Sequence, residues 1–269
     1  MIPFVEHPTV EIFGYTLQAF RVLALVAIGV QVELTVRRAP LVGIARGAAS
    51  SLIVWAVAIG LVSAHVFDVL AYRPEVLRTD PWELLRVWGE LASTGGMLGG
   101  LTGLFLVARR MGLARPELLR FFDVVMFALP FTLAIGRLGC ALQHDHLGVA
   151  STSLFAVNFP ATAPWGGPRF DLGLLETLLC SAIALAFLAL DRACPQHLRA
   201  PGFFFALFFA LYGPGRFVLD FLRVGEARYV GLTPAQWLMA GASVAAAAWL
   251  VRAAMSREVR DGPNNSASE

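Results

Sequence analysis

Two arginines, Arg137 and Arg216, sit inside stretches that are otherwise almost wholly apolar, FTLAIGRLGCAL and FFALYGPGRFVL. Ionisable groups at such positions are costly and by default mark a site or a pathway. A guanidinium is a planar fork of donors that grips phosphate oxygens, so the chemistry suggested is recognition of an anionic phosphate. Tyr212 lies one helical turn before Arg216, and Asp220 one turn after it, where an i,i+4 ion pair can form. Just past Arg137 come Gln143, His144, Asp145 and His146. An imidazole titrates near neutrality, which suits a proton acceptor and equally suits plain polarity at an interface. His65, Asp68, Glu90, Ser93, Thr94, Asp171 and Glu176 add polar groups at the ends of neighbouring apolar stretches. Cys140 follows Arg137 closely and reads either as a thiol activated by a nearby cation or as a small apolar residue. The three cysteines are widely spaced and no CxxC or HExxH occurs, so neither a disulfide framework nor a metal site is expected, and no cofactor is.

The elements that must position these groups are transmembrane. The 269 residues are 57% hydrophobic and only 15% charged, against about a quarter charged in a soluble domain. Apolar stretches near 14–35, 48–71, 91–108, 121–142, 174–191, 202–222 and 234–253 predict an all-α integral membrane protein of about seven transmembrane helices, since about 20 residues cross the hydrocarbon core. The third stretch is rich in glycine (Gly95, Gly96, Gly99, Gly100, Gly103), which permits close helix approach but also fits a loosely packed span. Twelve arginines fall on the side reached after the first span and six on the other, so the N-terminus is expected outside and the C-terminus in the cytoplasm. The basic residues are all Arg and scattered, which excludes a nucleic-acid surface. The acidic, proline-bearing N-terminus reads as mature chain rather than a cleaved leader. Residues 1–255 form the membrane domain, and the polar stretch 256–269 is expected to be a disordered cytoplasmic tail.

Depth links the two arginines. Arg137 lies 16 residues into its span and Arg216 14 into its own, about 24 and 21 Å from the cytoplasmic entry, so both reach the outer third of the bilayer. Two outer connections are long. Residues 72–90 carry an amphipathic helical piece that suits the membrane surface. Residues 143–173 form an outer-face loop region between spans four and five, of the length and aromatic content of a lid or binding surface.

These residues resemble the bacterial prolipoprotein diacylglyceryl transferase family. Its signature, G-R-x-G-N-F-x-N-x-E-x-x-G, is met by Gly136, Arg137, Gly139 and Gly148, with Gln143 and Asp145 in place of the second Asn and the Glu, and Cys140 in place of the first Asn. Its Tyr-Gly-x-x-Arg, acid, Arg pattern is met by Tyr212, Gly213, Arg216, Asp220 and Arg223. A weaker likeness joins Arg86-Val87-Trp88 to Gly95-Gly96, and Arg37-Arg38-Ala39 aligns at the end of the first span. The resemblance covers nearly the whole chain. It departs where Thr94 replaces the family's histidine before the Gly-Gly pair, where Gln18 and Phe20 stand for polar residues early in the first span, and in Phe170–Glu176, of which only Glu176 survives clearly.

The resemblance implies transfer of a diacylglyceryl group from phosphatidylglycerol to the lipobox cysteine of a prolipoprotein, in lipoprotein biosynthesis at the bacterial inner (plasma) membrane, with the site toward the periplasmic leaflet. It implies that Arg137 and Arg216 hold the phosphate, that Tyr212 donates to the headgroup, and that Asp145 and Glu176 orient the arginines. Gly136, Gly139, Gln143, Asp220, Thr94, Gly95 and Gly96 would line the substrate site. The proton acceptor is left open between His144 and His146. Alternatives are a related enzyme using another anionic lipid or acceptor, or a non-catalytic lipid-binding relative. Polar groups confined to one half of the spans argue against a transporter.

Overall fold

A computed structural model describes the chain except residues 6–7, 13–14, 87–90, 164, 195–198 and 261–269, with backbone alone at 10, 12, 15–17 and 257–260. Strand β1 (Ile2–Pro3) and the hairpin β2 (Thr9–Ile12)–β3 (Tyr15–Gln18) lead into helices α1 (Ala19–Arg38) and α2 (Arg46–Phe67). After a π-helical turn at Asp68–Tyr72 come a short helix α3 (Val76–Thr79), a 3-10 turn at Pro81–Leu85, and helices α4 (Ser93–Arg110) and α5 (Arg115–Gln143). Strands β4 (Leu147–Ala150), β5 (Ala156–Phe159) and β6 (Gly167–Asp171) precede α6 (Leu172–Ala193), α7 (Phe203–Leu219) and α8 (Pro234–Arg260).

Six of these helices are long and apolar enough to cross a membrane: those at 19–42, 46–72, 115–143, 172–193, 203–222 and 234–256. Their outward faces carry large apolar side chains such as Leu25, Trp55, Leu185 and Val244, which water would not favour and lipid does. The chain is thus a multi-pass helical membrane protein. The seventh expected span, near 91–108, is the 18-residue α4, shorter and studded with glycine. It packs along α2, and the glycines are what allow it. A Cβ on Gly99 would fall 2.1 Å from Ser63 Cβ, one on Gly95 2.2 Å from Phe67 Cβ, and one on Gly103 2.8 Å from Ile59 Cδ1. The loosely packed reading of Gly99 and Gly103 is therefore replaced by close packing that a side chain would prevent.

Local signals set the helix ends. Thr233 and Gln236 form a reciprocal capping box at α8: Gln236 N–H donates to Thr233 Oγ1 (3.1 Å), and Thr233 N–H to Gln236 Oε1 (2.9 Å). Asp171 accepts from Leu174 N–H at the start of α6. Asp123, about two turns inside α5, accepts from Gly202 and Phe205 N–H and so caps α7 from a neighbouring helix. Gln31 of α1 ties α1 to α5, donating to the Val125 carbonyl and accepting from Thr132 Oγ1 (2.9 Å). An aromatic core of Phe127, Phe187, Phe204, Phe208 and Tyr212 joins α5, α6 and α7, with Phe127 edge-on to Phe204 at 5.3 Å.

Two expectations change. Residues 143–173 are not a plain loop: β4, β5 and β6 are antiparallel neighbours, and β1 adds to β5 in parallel, giving the order β1-β5-β6-β4. Pairing along these strands satisfies backbone groups that a long loop would leave open. At the other end, α8 continues through Arg260, so the stretch expected to be disordered begins as helix; residues 261–269 lie outside the described residues.

Candidate functional site

The C-terminal ends of α5 and α7 and the N-terminal end of α6 bring the two arginines together on one carboxylate. Glu176, fully buried one turn into α6, receives Arg137 Nε at 2.5 Å on Oε2 and Arg216 Nη1 at 2.7 Å on Oε1. Arg216 also reaches Asp220 Oδ1 at 2.5 Å, the i,i+4 pair visible in the spacing. Asp220 is fully buried, accepts from Thr233 Oγ1 at 2.6 Å and lies 3.4 Å from Arg223 Nε. Arg223 closes the chain on Glu226. Three guanidinium groups thus face three carboxylates, and the buried charges cancel. Arg137 Nη2 donates to Ser93 Oγ at 2.6 Å, which brings the head of α4 into the site. Tyr212 is buried one turn below Arg216, stacked on Phe208 at 5.0 Å.

The segment after Arg137 divides into two histidines of opposite character. His144 adopts a left-handed backbone, φ +52°, which turns the chain out of α5. Its Nδ1 lies 2.7 Å from Asp171 Oδ2 and its Nε2 3.0 Å from the Val5 carbonyl. Both partners only accept, so both are satisfied only by the doubly protonated ring. Burial works against that charge, but the Asp171 hydrogen bond and the Val5 carbonyl outweigh it and raise the pKa. Phe4 stacks on the ring at 4.6 Å. His146 is the reverse: burial, then the Arg223, Arg137 and Arg216 charges, hold it well below the ordinary imidazole value, so the ring is neutral at pH 7. Its Nδ1 lies 3.7 Å from Asp145 Oδ1. Burial on one side pushes the Asp145 carboxyl up to about 6, although 37% of the side chain remains exposed.

Cys140, Asp145 and His146 have ligand atoms within 4.8 Å of one another, a spacing that three donors to one metal ion share. The same group faces Arg137, Arg216 and Arg223, whose charges oppose a cation there.

The remaining expected residues separate into those that join this cluster and those that do not. Thr94 is buried at the head of α4, beside the Ser93 that Arg137 reaches. Gln143 ends α5, half-buried. A Cβ on Gly136 would meet nothing within 4 Å, so that position is open. Gly95 and Gly96 are occupied with packing on α2, and Gly139 with packing on α1, where a Cβ would lie 3.2 Å from the Phe20 ring. His65 Nε2 donates to the Glu83 carbonyl (2.8 Å), and Asp68 pairs with Arg73, so both fasten the 68–86 segment. Glu90, Val87 and Trp88 lie outside the described residues. Sequence marks Ser93 and Asp171 only as polar groups at span ends and Arg223 only as part of a motif, and gives none of them, nor Thr233, a role in the site. For Thr233 the signal was present, since T-P-A-Q is a capping box that places its hydroxyl at a helix start; that Asp220 lies there needs the fold.

Beside the cluster, α6 and α7 part on the lipid-facing side. Leu175, Leu178 and Leu179 face Pro214, Gly215, Val218 and Leu219, with Phe155 at the rim, forming an open apolar groove. Leu175 and Gly215 are the chain neighbours of Glu176 and Arg216. A buried arginine–carboxylate centre at one end of a multi-pass helical bundle, flanked by an apolar groove, is the architecture of a membrane protein that handles an anionic amphiphile. The chain belongs to the prolipoprotein diacylglyceryl transferase family, whose model matches residues 8–252. It is 29% identical over 261 residues to phosphatidylglycerol--prolipoprotein diacylglyceryl transferase of Paenarthrobacter aurescens, covering 88% of this chain and 79% of that one. It is 30% identical over 251 residues to the protein so named in Frankia alni, covering 89% and 64%. Against phosphatidylglycerol--prolipoprotein diacylglyceryl transferase 1 of Streptomyces coelicolor it is 29% identical over 222 residues, covering 80% and 63%. The chain therefore spans less than two thirds of the length of the latter two relatives.

Proposed function

We propose that this protein transfers a diacylglyceryl group from phosphatidylglycerol to the cysteine thiol of a prolipoprotein. The observation that carries the reading is the single buried carboxylate, Glu176, holding Arg137 and Arg216 from separate helices next to the α6–α7 groove. The groove suits the acyl chains, and the arginines suit the phosphate. Arg137 engages Glu176 through Nε and Ser93 through Nη2, which fixes the plane of its guanidinium. Positive charge fixed before the reaction stabilises negative charge as it develops on the leaving group.

In the transfer, the thiol gives up its proton, and the sulfur attacks the glyceryl carbon that bears the phosphate ester oxygen. The C–S bond forms as the C–O bond breaks, and glycerol phosphate departs with the bonding pair. The family's histidine position holds Thr94, so the proton acceptor must come from elsewhere. We assign that role to His146, neutral at pH 7 and backed by Asp145, and we assign His144 to positioning, since both of its nitrogens are spent on acceptors. Tyr212 serves the headgroup from below Arg216. We place this end of the bundle at the periplasmic leaflet of the plasma membrane, with α4 as a seventh span, on the twelve-to-six arginine distribution.

The test is incubation of the purified protein with phosphatidylglycerol and a lipobox peptide, followed by mass spectrometry. The expected result is a diacylglyceryl thioether on the peptide and release of glycerol phosphate. Absence of both products while a family member run in parallel gives them would refute the transferase reading. Glycerol phosphate released with the peptide unmodified would instead favour a different acceptor, the reading that Thr94 motivates.

A further inference from the structure

A second cluster of guanidinium groups lies at the opposite end of the bundle, remote in the fold from Glu176. There a small cavity opens between the end of α1, the first turns of α5 and the chain entering α7. Counting its mouth it encloses about 370 Å³, and its inner part admits little more than one water-sized group. Arg38, Arg120 and Arg199 line it together with Asp123.

The charges here do not cancel as they do around Glu176. Asp191 accepts from both Arg38 Nη2 and Arg199 Nη2, each at 2.8 Å, on the same oxygen. Asp123 is spent on the amide donors that begin α7. Arg120 has no ion pair among the described residues. Three cations therefore meet two carboxylates, one of which already neutralises a helix terminus. Donors are also left over. Arg199 is 8% exposed, and among the described residues its buried Nη1 has no hydrogen-bond partner, nor has the buried Arg38 Nε. Leaving a charged donor unmet in a protein interior is expensive, and such groups call for a ligand. Both guanidinium planes are held in place, Arg38 over the Phe127 ring at 3.8 Å and Arg199 over the Phe204 ring at 4.6 Å. They are thus preorganised rather than free to swing to water.

We propose that this cavity binds a phosphate group, with one oxygen inserted toward Arg199 Nη1 and the remainder held at the mouth by Arg120 and Arg38. A phosphodiester headgroup of an anionic lipid in the adjacent leaflet and a free phosphate share this chemistry. The site is separate from the transferase centre and does not depend on that assignment.

The protein, reconstituted in phosphatidylcholine nanodiscs, is titrated with inorganic phosphate in one arm. In the other it is reconstituted with increasing phosphatidylglycerol, and bound lipid is counted by native mass spectrometry. Variants are Arg120→Gln, which breaks no ion pair and so retains the fold, and Arg199→Gln. Arg137→Gln reports the distant site. The expected result is binding in at least one arm that either variant at this cavity weakens about tenfold, as loss of one charge-assisted contact predicts, while Arg137→Gln leaves it in place. Saturation with inorganic phosphate identifies a free anion as sufficient; binding confined to phosphatidylglycerol identifies the lipid. Binding that is the same in Arg120→Gln, Arg199→Gln and the unaltered protein, in whichever arm it occurs, overturns the proposal, as does the absence of binding from both arms.

Discussion

Replacing Glu176 with Gln tests whether one carboxylate organises the site. Glu176 is fully buried and neutralises two guanidinium groups at 2.5 and 2.7 Å. In Glu176→Gln the shape is kept and the charge is lost. Arg216 retains Asp220 at 2.5 Å, but among the described residues Arg137 has no second carboxylate and keeps neutral partners such as the Ser93 hydroxyl. Removing one partner of a buried pair costs about 3–5 kcal/mol, because a charge stays behind in a medium of low polarity. For a chain of this size that is a fall of roughly 6–20 °C in Tm. If the stranded charge is the cause, the double variant Arg137→Gln/Glu176→Gln should be more stable than additivity predicts, by about 0.5–3 kcal/mol. An anionic lipid headgroup should also stabilise Glu176→Gln more than it stabilises the unaltered protein, since it supplies the missing charge. Thermal unfolding in nanodiscs, with and without phosphatidylglycerol, measures all three quantities. A Tm within 2 °C of the parent, or a double variant showing simple additivity, would refute the reasoning, because Arg137 and Arg216 would then owe their positions to packing rather than to Glu176.

Three further outcomes follow from the same geometry. The pH profile of transfer should fall on its acid side near pH 6, where Asp145 takes up its proton and His146 loses its backing; Asp145→Asn should move that limb, and an unchanged limb in the variant counts against the pair. His144 has a raised pKa, so its contribution to holding the N-terminal strand is complete below the unfolded value of about 6.5 and is lost as pH rises through the folded one. Hydrogen exchange of Met1–Val5, corrected for intrinsic rate, should therefore accelerate on going to alkaline pH, and constant protection would contradict the double-donor assignment. Gly99→Ala should destabilise by about 1–3 kcal/mol through overpacking, because its Cβ would fall 2.1 Å from that of Ser63. Adding Ser63→Gly should recover most of the loss; no recovery would place the clash elsewhere.

Much of this molecule is legible without coordinates. Hydropathy alone places the helices, since each must bury or expose a lipid-length run of apolar side chains. The cost of an arginine among phenylalanines and leucines picks out Arg137 and Arg216, and the i,i+4 spacing foretells the Arg216–Asp220 pair. Helical periodicity is local, so these readings need only the chain itself.

What the chain could not decide is which distant groups meet. That Glu176 rather than Asp145 bridges the arginines depends on how α5, α6 and α7 rotate against one another, and the packing of Phe127, Phe187 and Phe204 sets those rotations. The two histidines two residues apart look alike in sequence, yet β6 and Val5, just beyond β1, give one of them two acceptors while burial and three guanidinium charges keep the other neutral. The sheet from 147 to 171 and the pairing of β1 with β5 are non-local, and pattern alone leaves them as loop. Residue type and depth in the bilayer are properties of a stretch of sequence; the partner of a buried charge is a property of the whole packed structure, because only packing decides which opposite charge is near enough to repay its desolvation.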